Sequence, residues 1–212
     1  MILNYVSYAS GLVPLVCFFL AKNKFRPPTV WIGVFALSGF ITDSIGFFLS
    51  LQGKPTLALF NVYALFSFII LSGYFISQFQ SKHTKVLLLV CLAVGIVTFI
   101  AEVAVIGLSA KLASTSHGLN AIFIIMLSIL KYYDLLKTPQ IENLWTNQDF
   151  IIVTALLFFH AGTVFLFLIT NYVREHLPNE LRHFWSLGLV LTVISNFTLS
   201  YGLLCKRNMS SI

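Results

Sequence analysis

Three side chains of this sequence could hold charge where charge is expensive: Asp43, Glu102 and His160. Asp43 lies near the middle of WIGVFALSGFITDSIGFFLSL, Trp31 to Leu51, a run long enough to cross a bilayer as one helix. An ionisable group at that depth is costly, so it normally faces the interior of a helix bundle or a wet cavity. No Lys or Arg sits at the centre of any apolar run. Each buried acid must therefore take a proton or meet a cation, and that cation could be His160, a bound ligand or a transported ion. Asp43 and His160 fall at matching depths in different helices, which predicts that they line one cavity.

The uncharged polar residues inside the apolar runs complete the candidate set. They are Asn61 and Tyr63, then Asn120, then Asn196, with His117 beside Asn120. By depth, Asp43, His160 and Asn196 belong near the midplane. Asn61, Glu102, His117 and Asn120 belong to the outer half. A polar pocket opening outward between the second and seventh spans would use them all. The competing expectation is that each simply hydrogen-bonds a neighbouring helix, as polar residues in membrane bundles commonly do for about 0.6 kcal/mol apiece.

Positioning these groups falls to seven apolar runs. They are Ile2 to Ala21, Val30 to Leu51, Thr56 to Gln78, Val86 to Leu108, His117 to Leu136, Phe150 to Val173 and Phe184 to Cys205. Of the whole chain, 58% is hydrophobic and 9% charged, against about 25% charged in a soluble domain. Such a composition predicts an all-α polytopic membrane bundle of seven spans in a single domain, because helices satisfy their own backbone groups in hydrocarbon. The N-terminus has no basic region or small-residue cleavage site and reads as a first span rather than a signal peptide. Connections carry breakers at Pro27-Pro28, Gly53-Lys54-Pro55, Pro139 and Pro178. The longest of them, KTPQIENLWTNQD, could hold a short interfacial helix around Trp145.

Lys22, Lys24, Arg26, Lys82, Lys85, Lys131, Lys137, Lys206 and Arg207 cluster at one set of helix ends. Lys54, Lys111, Arg174 and Arg182 lie at the other. The richer side is expected to be cytoplasmic, which puts the N-terminus outside and the C-terminus inside. KNKFRPPTVW after the first span and LKTPQIENLW after the fifth punctuate the chain alike. They suggest three spans, a linker span and three more, as in small transporters with parallel repeats.

Several chemistries are excluded. The last span has no lysine before Lys206 for a retinal Schiff base. A zinc hydrolase needs about three clustered ligands, and among His83, His117, His160, His176 and His183 only His160 lies deep. Cys17, Cys91 and Cys205 show no CxxC spacing and read as packing residues. No metal, cofactor or catalytic residue is expected. The net charge of +6 sits at helix ends facing lipid headgroups and does not point to nucleic acid.

The segments LNYVSYASGLVPLV, FITDSIGFFLSL, LFNVYALFSFIIL, FHAGTVFLFLITN and HFWSLGLVLTVISN resemble an uncharacterised family of bacterial seven-helix proteins, relatives of which form the membrane region ahead of some sensor histidine kinases. The resemblance implies the seven-helix fold, the bacterial inner membrane and a sensory role. It implies no catalytic residue. Three functions are weighed: a sensor-like or receptor-like bundle acting through a partner protein or as a homo-oligomer, a small-solute or ion transporter, and an intramembrane enzyme acting on lipid with Asp43, Glu102 and His160 as acid and base.

Overall fold

The computed structural model describes residues 2–22, 24–137, 144–177 and 179–205. All regular structure among them is helical: α1 (Ile2–Ser10), α2 (Leu12–Leu20), α3 (Pro27–Leu51), α4 (Leu57–Gln78), α5 (Lys82–Ile106), α6 (Ser114–Leu136), α7 (Gln148–His176) and α8 (Leu181–Leu204), with one 3-10 turn at Leu144–Thr146. Counting α1 and α2 as one, seven helical segments are long and apolar enough to cross a membrane. Trp145 in the 3-10 turn is exposed. The rest of the expected interfacial segment, together with Pro139, Pro178, Lys206 and Arg207, lies outside the described residues.

The helix boundaries follow local chemistry where hydropathy alone misplaces them. The second span starts at Pro27, not Val30, because Pro27 and Pro28 occupy the first helical positions, where a missing N–H costs nothing. It stops at Gly53, whose φ of +66° lets Lys54 N–H reach Leu49 C=O at 3.0 Å and Gly53 N–H reach Ser50 C=O at 3.1 Å. The fourth span starts at Lys82, four residues before the apolar run, with Lys82, His83 and Lys85 exposed on its first turn. The regular bonding of the first span lapses at Gly11, although the backbone there stays helical (φ −64°, ψ −22°). Pro14 has no N–H to give to the Ser10 carbonyl and its ring crowds that carbonyl. The lapse falls one turn before the proline, where Gly11 N–H instead reaches Tyr8 C=O at 3.1 Å.

Six spans close a ring. Its neighbours in order are α1–α2, α3, α4, α6, α7 and α8, and α8 packs back on both α1 and α2. The fourth span, α5, stands outside the ring against α4 and α6. Glycines let neighbours close up: a Cβ on Gly202 would meet the Ile152 backbone N at 3.2 Å.

The two halves of the ring differ. At the end that carries the lysine-rich connections the interior is solid, filled by Ile32, Leu71, Tyr74, Phe75, Ile152 and Leu203, each at most 2% exposed. Polar side chains stitch that end together. Gln78 Nε2 donates to Asp149 Oδ1 at 2.7 Å and to Tyr74 Oη at 3.1 Å. Lys131 Nζ donates to Asp134 Oδ2 at 2.9 Å. The opposite end is hollow.

Candidate ligand cavity

A cavity of about 1260 Å³ occupies the hollow half of the ring. It reaches Leu3, Thr56, Leu112 and His183, at the end bearing the N-terminus and the lysine-poor connections. Its floor is Phe68, Ile124, Leu156 and Leu199. Every ring segment lines it and α5 does not, so the first span replaces the fourth in the expected wall.

Asp43, Tyr63, Asn120, His160 and Asn196 all line this cavity. α3 and α7 are opposite members of the ring, so Asp43 and His160 face each other across it rather than pairing directly. His160 Nδ1 is 2.8 Å from Leu156 C=O. As the donor in that bond, Nδ1 keeps the proton of the neutral ring and leaves the Nε2 lone pair uncommitted. Asp43 makes no hydrogen bond and no ion pair to any other described residue. The Tyr63 hydroxyl lies over Gly39, one turn before Asp43 on α3. A Cβ on Gly39 would come within 2.9 Å of Tyr63 Oη.

Asn196 Nδ2 donates to Ser10 Oγ at 2.9 Å and ties α8 to the lapse in the first span. Asn120 is 6% exposed, and its Oδ1 has no hydrogen-bond donor. That oxygen sits against Gly95, where a Cβ would be 2.7 Å away.

Two expected members of the pocket are elsewhere. Asn61 does not line the cavity. It is fully buried, and it clamps the α5–α6 connection by donating to Leu108 C=O at 2.8 Å and Lys111 C=O at 3.0 Å while accepting from Ala113 N–H at 3.0 Å. Glu102 does not line it either. Its carboxylate caps α6 from the neighbouring helix, accepting from Thr115 N–H at 3.0 Å, Ser116 N–H at 2.7 Å and Ser116 Oγ at 2.6 Å. The first N–H groups of a helix have no partners within it, and the positive end of the helix dipole favours an anion there. Glu102 thus finds its compensation without any cation.

No family profile, curated protein or solved structure matches this chain. The site must be read from its own chemistry.

His117, expected with Asn120, lines the wall, and His183 joins it from outside the expected set. His117, on α6, gives Nδ1–H to Ala113 C=O at 2.7 Å and stands edge-on to Phe167. His183 lies at the end of the cavity that bears the N-terminus. His117 carries a legible signal, lying one turn before Asn120 on the same helix face. His183 carries none beyond proximity to an apolar run. Among the described residues no three His, Cys, Asp or Glu side chains come close enough to hold a metal ion. Burial pushes the Cys205 thiol up, which keeps it protonated and unreactive.

Proposed function

We propose that the chain is a multi-pass protein of the bacterial inner membrane, with its N-terminus outside and C-terminus in the cytoplasm, that works as a sensor-like or receptor-like bundle. It would bind a small molecule in its outward cavity and report through a signalling or membrane partner protein, or through a second copy of itself. One observation carries this reading: the cavity is confined to one half of the ring, and a close-packed core fills the other half. The clustering of basic residues at the solid end supports the orientation. The resemblance to membrane regions ahead of histidine kinases agrees with it. Asp43, Tyr63, Asn120, His160 and Asn196 are the ligand-contacting residues in this proposal; Asn61 and Glu102 are architectural.

A transporter is the second reading. The closed ring with α5 outside it is the arrangement that two three-span units joined by a linker span would give, since neighbours map onto neighbours when the first, second and third spans are exchanged with the fifth, sixth and seventh.

Labelling from each side separates the two readings. Thr163 and Thr192 line the cavity. In a chain freed of Cys17, Cys91 and Cys205, Thr163→Cys and Thr192→Cys should react with a membrane-impermeant thiol reagent added outside and stay unlabelled from inside. Labelling from both sides would favour transport. No labelling from outside would overturn the outward-open cavity.

A further inference from the structure

The cavity's polar groups have an uneven chemistry that specifies a ligand class; this inference rests on the outward-open cavity proposed above. Three hydroxyl groups on the α7 and α8 wall have spent their protons on backbone carbonyls. Thr163 Oγ1 donates to Phe159 C=O at 2.7 Å, Thr192 Oγ1 to Gly188 C=O at 2.9 Å, and Ser195 Oγ to Ala155 C=O at 3.3 Å. His160 has likewise spent its Nδ1–H, and Asn196 has given an amide proton to Ser10. What these groups present to the cavity is lone pairs.

The carboxylate of Asp43 is the strongest acceptor in the same space, and among the described residues no Lys or Arg lines the cavity with it. The Tyr63 hydroxyl, the Trp185 indole and the Asn120 amide supply O–H and N–H donors, so what the described wall lacks around the carboxylate is positive charge, and a buried acid without a counter-charge is expensive. A metal ion does not answer that deficit, because no metal-ligating cluster forms among the described residues. The rest of the wall is apolar and aromatic. Phe40, Phe60, Tyr63 and Phe159 stand around Asp43 and His160, and aromatic faces attract cations.

We propose that the cavity binds an organic ammonium ion, a primary or secondary amine carried on an apolar body. The ammonium N–H groups would lie on the Asp43 carboxylate and on the lone pairs of the facing wall, and the body would lie among the phenylalanines. A charge-assisted N–H to carboxylate bond is shorter and about twice as strong as a neutral one. The ligand thereby supplies the counter-charge that no described residue gives Asp43.

The test uses the full chain in nanodiscs of zwitterionic lipid, which removes anionic headgroups as a competing site. Three amines of increasing bulk are titrated beside their matched alcohols: butylamine against butanol, 2-phenylethylamine against 2-phenylethanol, and 1-adamantylamine against 1-adamantanol. At least one amine should bind saturably and at least tenfold more tightly than its alcohol. Asp43→Asn should remove that gap, and Asp43→Glu should keep it.

Should Asp43→Asn not fold, labelling of Thr163→Cys decides: the amine should slow the thiol reaction and the alcohol should not. The proposal is overturned if no amine saturates, if alcohols bind as tightly as amines, or if the preference for amines survives in Asp43→Asn. Those failures would leave the outward-open cavity standing, because labelling of Thr163→Cys from outside is read independently.

Discussion

Replacing Glu102 should weaken the fold without touching the cavity. The carboxylate accepts three hydrogen bonds at the start of α6, two of them from backbone N–H groups that have no other acceptor in the helix. Interhelical hydrogen bonds in membrane bundles average about 0.6 kcal/mol, which sets a floor of roughly 2 kcal/mol for Glu102→Ala. Hydrogen bonds to a charged group can reach about 1.5–3 kcal/mol each, though Ser116 is fully buried and Thr115 is exposed, so only the Ser116 pair should approach that range. We expect a loss of about 3 kcal/mol for Glu102→Ala.

Glu102→Gln keeps one good acceptor but loses the charge facing the helix dipole, and it should cost about 1–1.5 kcal/mol. Unfolding in detergent, followed by helical circular dichroism against a denaturing surfactant, measures both. In a double-mutant cycle, Glu102→Ala and Ser116→Ala should couple by about 1 kcal/mol. External labelling of Thr163→Cys should proceed unchanged in the Glu102→Ala background. A cost below about 0.5 kcal/mol for Glu102→Ala would refute the capping role. So would a Gln variant no better than the Ala variant.

Asn61→Leu removes the side-chain partner of three backbone groups at the α5–α6 connection, one of them fully buried; it should cost about 2 kcal/mol, seen as a lowered surfactant midpoint, with faster proteolysis at 107–113. Asp43→Leu should be as stable as the parent within about 1 kcal/mol, or more stable, because it removes a carboxylate that has no partner among the described residues, while amine binding is lost. Gly39→Ala pushes its Cβ against the Tyr63 hydroxyl; amine affinity should fall several-fold while the surfactant midpoint moves little. Lys111 and Glu175 form an exposed ion pair at 2.5 Å, so Glu175→Gln should leave the surfactant midpoint essentially where it is.

Depth was legible in the sequence and direction was not. Counting residues along a span placed Asp43, His160 and Asn196 at one level, and all three line the cavity. The same counting could not separate Asn61 from Tyr63, two positions apart on α4, of which only Tyr63 faces the cavity. In a soluble helix the solvent side is polar and marks the face. Here Val97 and Val105 face outward and are as apolar as the buried core, so periodicity carries little azimuthal information.

The capping contacts of Glu102 are illegible in the sequence for a related reason. Its partners are backbone N–H groups, which every sequence has and none advertises, so only the fold reveals that they end beneath it. The stitching of Gln78 to Asp149 escaped notice because both lie at span ends, where polar residues ordinarily meet water. The lapse at Gly11 was foreshadowed by Pro14, yet nothing in one dimension placed it one turn before the proline.

The contrast between a filled half and an empty half makes the bundle mechanically uneven. Side chains interlocked across the solid end resist shear, and spacing between helices there is fixed by contact. Around the empty end each helix is braced sideways by its ring neighbours but not across the diameter, and the regular bonding of the first span lapses at Gly11 just where bracing stops. Lateral pressure from one leaflet would therefore be borne by the first span and the α3 wall, while the opposite leaflet meets a stiff plug. A guest spanning from Asp43 to the α7 wall would act as a strut, converting a compressible ring into a rigid one. The helix spacing at the hollow end then becomes the quantity by which occupancy could be felt from outside the bundle.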